Sequence, residues 1–273
     1  QNTQASVPFV YSDRGYGFLW NNPAVGQAIF ARNKTCWIAE STRQLDYWIC
    51  AGDTPAEVHA LYMRASGLPP RMPEWGLGFW QSKARYWNQE QVLDVAREYH
   101  RRGIPVDVMV IDYFHWPYLG DFRFDETLFP DPAGMAAELR AMGMEPMVSV
   151  WTPIDERSEN FAEMRDRDLL VTVDHGIELT TRFFDADAIN ADLTNPDTRA
   201  FIWDKLREHY LDTCGIRLFW LDEAEPEMKN YEYKHYRYAA GPDVEVGNRY
   251  PLDYARMAYE GMAAEGQENI VNL

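Results

Sequence analysis

Apolar positions along this chain follow two rhythms, and the change comes near residue 68. Within residues 8–50, short apolar and aromatic runs at 8–11, 15–20, 26–31 and 47–50 alternate with turn clusters such as Ser12-Asp13-Arg14-Gly15 and Asn21-Asn22-Pro23. Short runs bounded by turn formers predict antiparallel strands. A helix is expected over residues 55–65, and Gly67-Leu68-Pro69-Pro70 with Pro73 reads as a linker.

From Trp75 onward the rhythm becomes strand, loop, helix. Residues 76–81 predict a short strand. Asn88 with Gln91 three residues on matches a capping box, and Val92, Val95, Ala96 and Tyr99 stripe one helix face until Gly103. Residues 106–114 are almost continuously apolar, as expected of a parallel strand covered on both faces. Asp131-Pro132 opens a second helix carrying Met135, Leu139 and Met142, and residues 146–151 form a third strand. Residues 152–194 are irregular and polar, an expected insertion with one helix near 160–168. Asn195-Pro196 caps a helix that stops at Cys214-Gly215. Residues 216–221 are a fourth strand, 251–264 a helix, and 269–273 the start of a fifth strand.

Alternating buried strands and helices mean a parallel sheet, either doubly wound or a (β/α)₈ barrel. No Gly-x-Gly-x-x-Gly follows a strand, which weakens the nucleotide-binding version. Strands instead end in Asp112, Trp151 and Asp222, at the edge where barrel enzymes place their chemistry. The expected architecture is therefore α/β. Residues 1–68 would be an antiparallel β region, and residues 69–273 the first four to five βα units of a TIM-type barrel.

Composition narrows the partners. With 26 Lys+Arg against 43 Asp+Glu the net charge is −17, which argues against nucleic acid or an anionic membrane. The 10 Trp and 16 Tyr suit stacking on sugars as well as core filling. Three scattered cysteines form neither a disulfide scaffold nor a metal site. Few cysteines and no visible signal segment point to the cytoplasm; oligomeric state is left open, a homo-oligomer of the full-length protein included.

The densest chemistry is Trp220-Leu221-Asp222-Glu223-Ala224-Glu225-Pro226-Glu227. Strand alternation puts Leu218, Trp220 and Asp222 on one face. An aromatic wall beside a carboxylate suits a sugar whose anomeric carbon gains positive charge. The same acidic run could instead hold Mg²⁺, or be a solvated strand end. Asp112 shares a face with Val108 and Val110, and Trp151 with Ser149 and Met147. His100 and His115 read as surface or packing residues.

The stretch from Trp220 to Glu225 resembles the nucleophile signature of glycoside hydrolase family 31, a Trp-x-Asp-Met-Asn-Glu type pattern, departing from it at Glu223 and Ala224. Further blocks agree in order and spacing: Gly78-Phe79-Trp80-Gln81-Ser82-Lys83, Ile111-Asp112-Tyr113-Phe114-His115-Trp116, Asp121-Phe122-Arg123-Phe124-Asp125, Phe129-Pro130-Asp131-Pro132 and Asp192-Leu193-Thr194-Asn195-Pro196. The resemblance implies a retaining α-glycosidase needing no cofactor or metal, with residues 1–68 the C-terminal part of a β-sandwich that precedes the (β/α)₈ barrel. Asp222 would be its nucleophile, with Glu225 orienting and polarising the site. Asp112 would bind sugar hydroxyls in the −1 subsite, and Tyr113, Trp151, Trp220 and Trp80 would contact substrate. The form of the signature and the bulk of Tyr113 and Phe114 favour an α-xyloside over an α-glucoside.

A retaining mechanism also needs an acid roughly 5–5.5 Å from the nucleophile. In the family that Asp lies beyond the fifth barrel strand, and no residue here matches it. The expectation is a truncated catalytic region, inactive alone. A non-catalytic sugar-binding fragment is the competing class, with a Mg²⁺-dependent barrel enzyme as the third.

Overall fold

The computed structural model describes residues 7–177, 181–183, 186–225 and 233–273. The N-terminal region forms β1 (Phe9–Ser12), β2 (Tyr16–Trp20), β3 (Gly26–Phe30), β4 (Thr35–Ala39) and β5 (Tyr47–Ala51). They pair antiparallel as β1-β2-β5 and as a β3-β4 hairpin, as the turn clusters predict. The following helix α1 (Pro55–Ser66) is capped by the Thr54 side chain accepting from the Glu57 amide. These sheets leave much apolar surface uncovered: Phe30 is 63% and Ile49 58% exposed.

The second region has the predicted alternation. Strand β6 (Trp80–Gln81) leads to α2 (Gln89–Arg101), and β7 (Val108–Ile111) leads to α3 (Pro132–Ala141). The next strand is β8 (Glu145–Val150). Asn88 caps α2, accepting from the Gln91 amide at 3.0 Å, but the Gln91 side chain accepts from the amide of Trp87, one residue before the cap, and not from Asn88 as the full capping box requires. Pro132 starts α3 behind the Asp131 cap, because its missing N–H costs nothing there.

The described residues between 152 and 194 hold more regular structure than their polarity suggests. They hold β9 (Pro153–Asp155), α4 (Phe161–Asp166), β10 (Thr172–Val173), β11 (Thr181–Phe183) and β12 (Ala186–Asn190), with β9, β11 and β12 in one antiparallel sheet. Helix α5 (Pro196–Leu206) follows and runs into a π-helical turn, Arg207–Asp212. Then come β13 (Leu218–Leu221), β14 (Tyr236–Tyr238), β15 (Gly241–Pro242), α6 (Asp243–Val246) and α7 (Tyr250–Ala264).

Strands β13, β8, β7 and β6 lie in that order in one sheet, every pair parallel. Every residue of β7 is buried, which is why its sequence is continuously apolar. Residues 269–273, the expected start of a fifth strand, hold no strand element, but their last residue pairs with β13. Leu273 donates to the Phe219 carbonyl and accepts from the Leu221 amide, which is parallel pairing. Two cores result. Val108, Val110, Met147 and Leu218 fill the inner face, and a larger cluster including Val92, Leu139, Val148, Phe219 and Tyr254 packs the helices on the outer face. Among the described residues no helix is long and apolar enough to cross a membrane.

The regions meet through backbone. Val25 donates to the Val244 carbonyl, and Asn248 donates to the carbonyls of Pro23 and Ala24.

Candidate active site

Register defines the site. Trp220 lies opposite Ser149, and Leu221 opposite Val150. Ile111 lies opposite Val148. One step past these pairs, Asp112 comes level with Ser149 and Trp220, and Asp222 with Trp151. Asp112 and Asp222 thus end β7 and β13 on either side of β8, on the face that continues Val108, Val110, Met147 and Leu218.

Each aspartate is aimed by a sharp backbone turn. Phe114 has φ +59° and Glu223 has φ +55°, left-handed values uncommon for side chains of this size. Such strain persists only where the surroundings overdetermine it, and it clusters at functional sites. Each carboxyl also accepts from the amide just after it: Tyr113 donates to Asp112 Oδ1 at 2.7 Å, and the Glu223 amide bonds the Asp222 carboxyl.

The electrostatics follow. Burial pushes both carboxyls above the ordinary range. The Tyr113 amide pulls Asp112 back, while the charge of Asp222 raises it further. For Asp222 the Glu223 amide and the Trp151 side chain favour the ionised form, whereas Glu225 opposes it. Asp112, Asp222 and Glu225 therefore share one electrostatic neighbourhood.

The walls are aromatic. Tyr113 and Trp151 have ring centroids 5.4 Å apart, and Trp116 packs 6.0 Å behind Trp151. Trp220 is half-buried and floors the same face. The strand ends are held from outside by α7, where the Tyr254 hydroxyl donates to the Val150 carbonyl at 2.7 Å and the Tyr250 hydroxyl lies 2.9 Å from Thr152 Oγ1.

The structure brings together Asp112, Tyr113, Trp151, Trp220, Asp222 and Glu225. It does not bring Trp80 to them. Trp80 pairs with Val108, four residues before Asp112 and so about 13 Å lower along the strand. It packs against Trp75 at the other end of the inner face, its indole N–H donating to the Trp75 carbonyl. Pro226 and Glu227 lie outside the described residues. Among the described residues no three His, Cys, Asp or Glu side chains cluster as a metal site would require.

Other motif residues build structure. Asp192 accepts from the Thr194 amide and hydroxyl and from the Ala239 amide, clamping the chain that follows residue 232. Asp121 accepts from the amides of Tyr118 and Glu159. His115, read from sequence as surface or packing, is fully buried directly under Asp112. Arg85 is a residue that sequence reasoning missed. Its guanidinium donates to the Phe114 carbonyl at 2.9 Å and stacks on Trp87. No spacing rule links it to residue 114; only the fold does.

Comparison with known proteins agrees with the geometry. Residues 69–272 match the glycosyl hydrolases family 31 TIM-barrel domain. An uncharacterized family 31 glucosidase of Pseudescherichia vulneris is 51% identical over the whole chain, which spans 51% of that protein. The α-xylosidase of Saccharolobus solfataricus is 32% identical over the whole chain, which spans 36% of it. Among solved structures, an α-xylosidase from a soil metagenome complexed with xylose superposes on all of this chain with a TM-score of 0.96 at 49% identity, 40% of that protein being covered. The chain thus spans about half or less of the length of the relatives it matches.

Proposed function

The chain belongs to glycosyl hydrolase family 31, and on that premise we propose that it supplies the nucleophile-bearing part of a retaining α-glycosidase acting on α-xylosides. One observation carries the proposal: two carboxylates end strands on either side of β8, close enough to feel each other's charge, with Tyr113 and Trp151 walling the space.

In this mechanism Asp222 attacks the anomeric carbon as the C–O bond to the leaving group breaks. The leaving oxygen takes a proton from an acid, and a water molecule later hydrolyses the glycosyl-enzyme. Asp112 holds sugar hydroxyls through contacts that strengthen as the ring flattens. Glu225 polarises Asp222, consistent with its effect on that carboxyl. Trp151 and Trp220 bound the ring. Among the described residues no carboxylate near Asp222 is assigned the role of proton donor.

Residues 1–68 are read as the end of a β-sandwich and 69–273 as the first four to five units of the barrel. The family match over 69–272 and the pairing of Leu273 with β13 support this division. The xylose preference draws support from the xylose-bound relative and from the bulk of Tyr113 and Phe114, whose rings pack edge to face just after Asp112.

The test uses the full-length protein. A fluorinated xylosyl fluoride should leave a covalent mass adduct on the peptide containing Asp222; an adduct on another residue overturns the assignment. Asp222→Asn should abolish turnover while keeping sugar affinity, whereas a binding module would change only in affinity. EDTA should leave activity intact, and loss of activity would favour the metal-dependent reading. A kcat/KM higher for α-glucosides than for α-xylosides would overturn the pentose preference, since one misfit group alone is worth about 10–200-fold.

A further inference from the structure

Below Asp112 lies a polar chain that the proposed chemistry does not use. His115 is 0% exposed, and both its ring nitrogens are engaged. Nδ1 lies 3.0 Å from the Asp112 carbonyl, and Nε2 lies 2.8 Å from the Tyr210 hydroxyl. A carbonyl can only accept, so the proton sits on Nδ1, and Nε2 must accept from Tyr210. Ring contacts with Trp116, Phe124 and Tyr210 leave the imidazole no room to turn.

Tyr210 belongs to the π-helical turn that extends α5. Such turns insert a residue into a helix and recur at functional sites. Tyr210 is itself buried against Phe124 and Phe219, so its hydroxyl is a fixed donor.

We propose that His115 is a positioning residue for the sugar site, held by Tyr210 and pinning the backbone carbonyl of Asp112 so that the Asp112 carboxylate keeps its aim. Four bonds converge on the turn from 112 to 115. Tyr113 donates to Asp112 Oδ1, His115 to the Asp112 carbonyl, Arg85 to the Phe114 carbonyl, and the Asp125 amide to the His115 carbonyl. Within this turn Phe114 holds its left-handed φ. The His115 bond ties the turn to the helical layer behind the sheet, through Tyr210. Without it the strained residue would relax and carry Asp112 with it. The consequence for catalysis rests on the role proposed above for Asp112.

Three variants of the full-length protein test this. His115→Leu removes the pin. His115→Asn restores it, because the Asn amide nitrogen overlies Nδ1 and donates to the same carbonyl. Tyr210→Phe leaves the pin but frees its back end. A displaced group at a reacting centre can cost about 100-fold, so His115→Leu should lower kcat/KM for an aryl α-xyloside by about that factor, chiefly in kcat. His115→Asn should recover most of the loss, and Tyr210→Phe should fall between.

A structural role alone would lower Tm in His115→Leu and in His115→Asn and leave kcat/KM of the folded enzyme unchanged. That result overturns the proposal. Asp112→Ala separates the two layers: if it leaves hydrolysis unaffected, the sugar-binding role of Asp112 fails. The pin is then decided by a crystal structure of His115→Leu. A shifted Asp112 carboxylate and a relaxed Phe114 support it; an unmoved turn overturns it.

Discussion

The N-terminal sheets and the parallel sheet are both rich in apolar side chains, but they use them differently. In β5 exposure alternates, and Tyr47, Ile49 and Ala51 face solvent. In β7 every residue is buried, and the first polar side chain is Asp112, one residue past the strand's end. A strand covered on both faces has nowhere to put a carboxylate except its end, where desolvation and converging amides tune it. Chemistry therefore gathers at the parallel sheet, while the N-terminal antiparallel sheets meet the rest at a seam with residues 244–248.

The largest effect should come from the strand end itself. Asp222→Ala in the full-length protein should lower turnover on the order of 10⁴-fold or more, by analogy with loss of other covalent nucleophiles. Assay with an aryl α-xyloside checks this, and the same change to Asp13 in the N-terminal region should do nothing measurable.

Packing should show the same contrast. Phe219→Ala in the outer core should cost about 3–5 kcal/mol in urea unfolding, because the cavity cannot collapse among Trp203, Tyr210 and their neighbours. Phe30→Ala, on a residue 63% exposed, should cost less than about 1 kcal/mol. Equal costs would break the comparison.

Titration sharpens it further. Burial depresses His115 from its ordinary 6.5 to about 4. The unfolded chain takes up that proton near 6.5 and the folded protein only near 4. The stability this group contributes is complete above 6.5 and is lost as pH falls to 4, about 3 kcal/mol in total. The His115→Asn variant should flatten that part of the stability profile.

At the seam the sign reverses. Burial raises Asp243 to about 6 from 3.8, so its contribution is fully present below 3.8 and is lost as pH rises through 6. Asp243→Asn should stabilise the protein at pH 7 by about 3 kcal/mol, and the gap should nearly close by pH 4. Chemical denaturation at the two pH values decides it.

Much of this was legible along the chain. The strands ending near 112, 151 and 222 and the caps at Asn88, Asp131 and Asn195 follow from periodicity and turn chemistry. The order inside residues 152–190 was not legible, because β9, β11 and β12 stabilise one another only once the chain returns on itself. Trp80 shows the limit of motif reasoning. Its place in a family block pointed to the sugar, but register sets it beside Val108, far below the strand ends.

The division has a physical basis. Which residues become strands, which cap helices and which carboxylates end buried runs depend on local periodicity and steric preference, and the sequence by itself determines them. Which carboxylates face each other depends on register between strands that are 110 residues apart, Asp112 and Asp222 among them. Likewise, only tertiary packing brings a tyrosine from a π turn to a histidine 95 residues earlier, and so decides that His115 is a buried, neutral pin and not a surface residue.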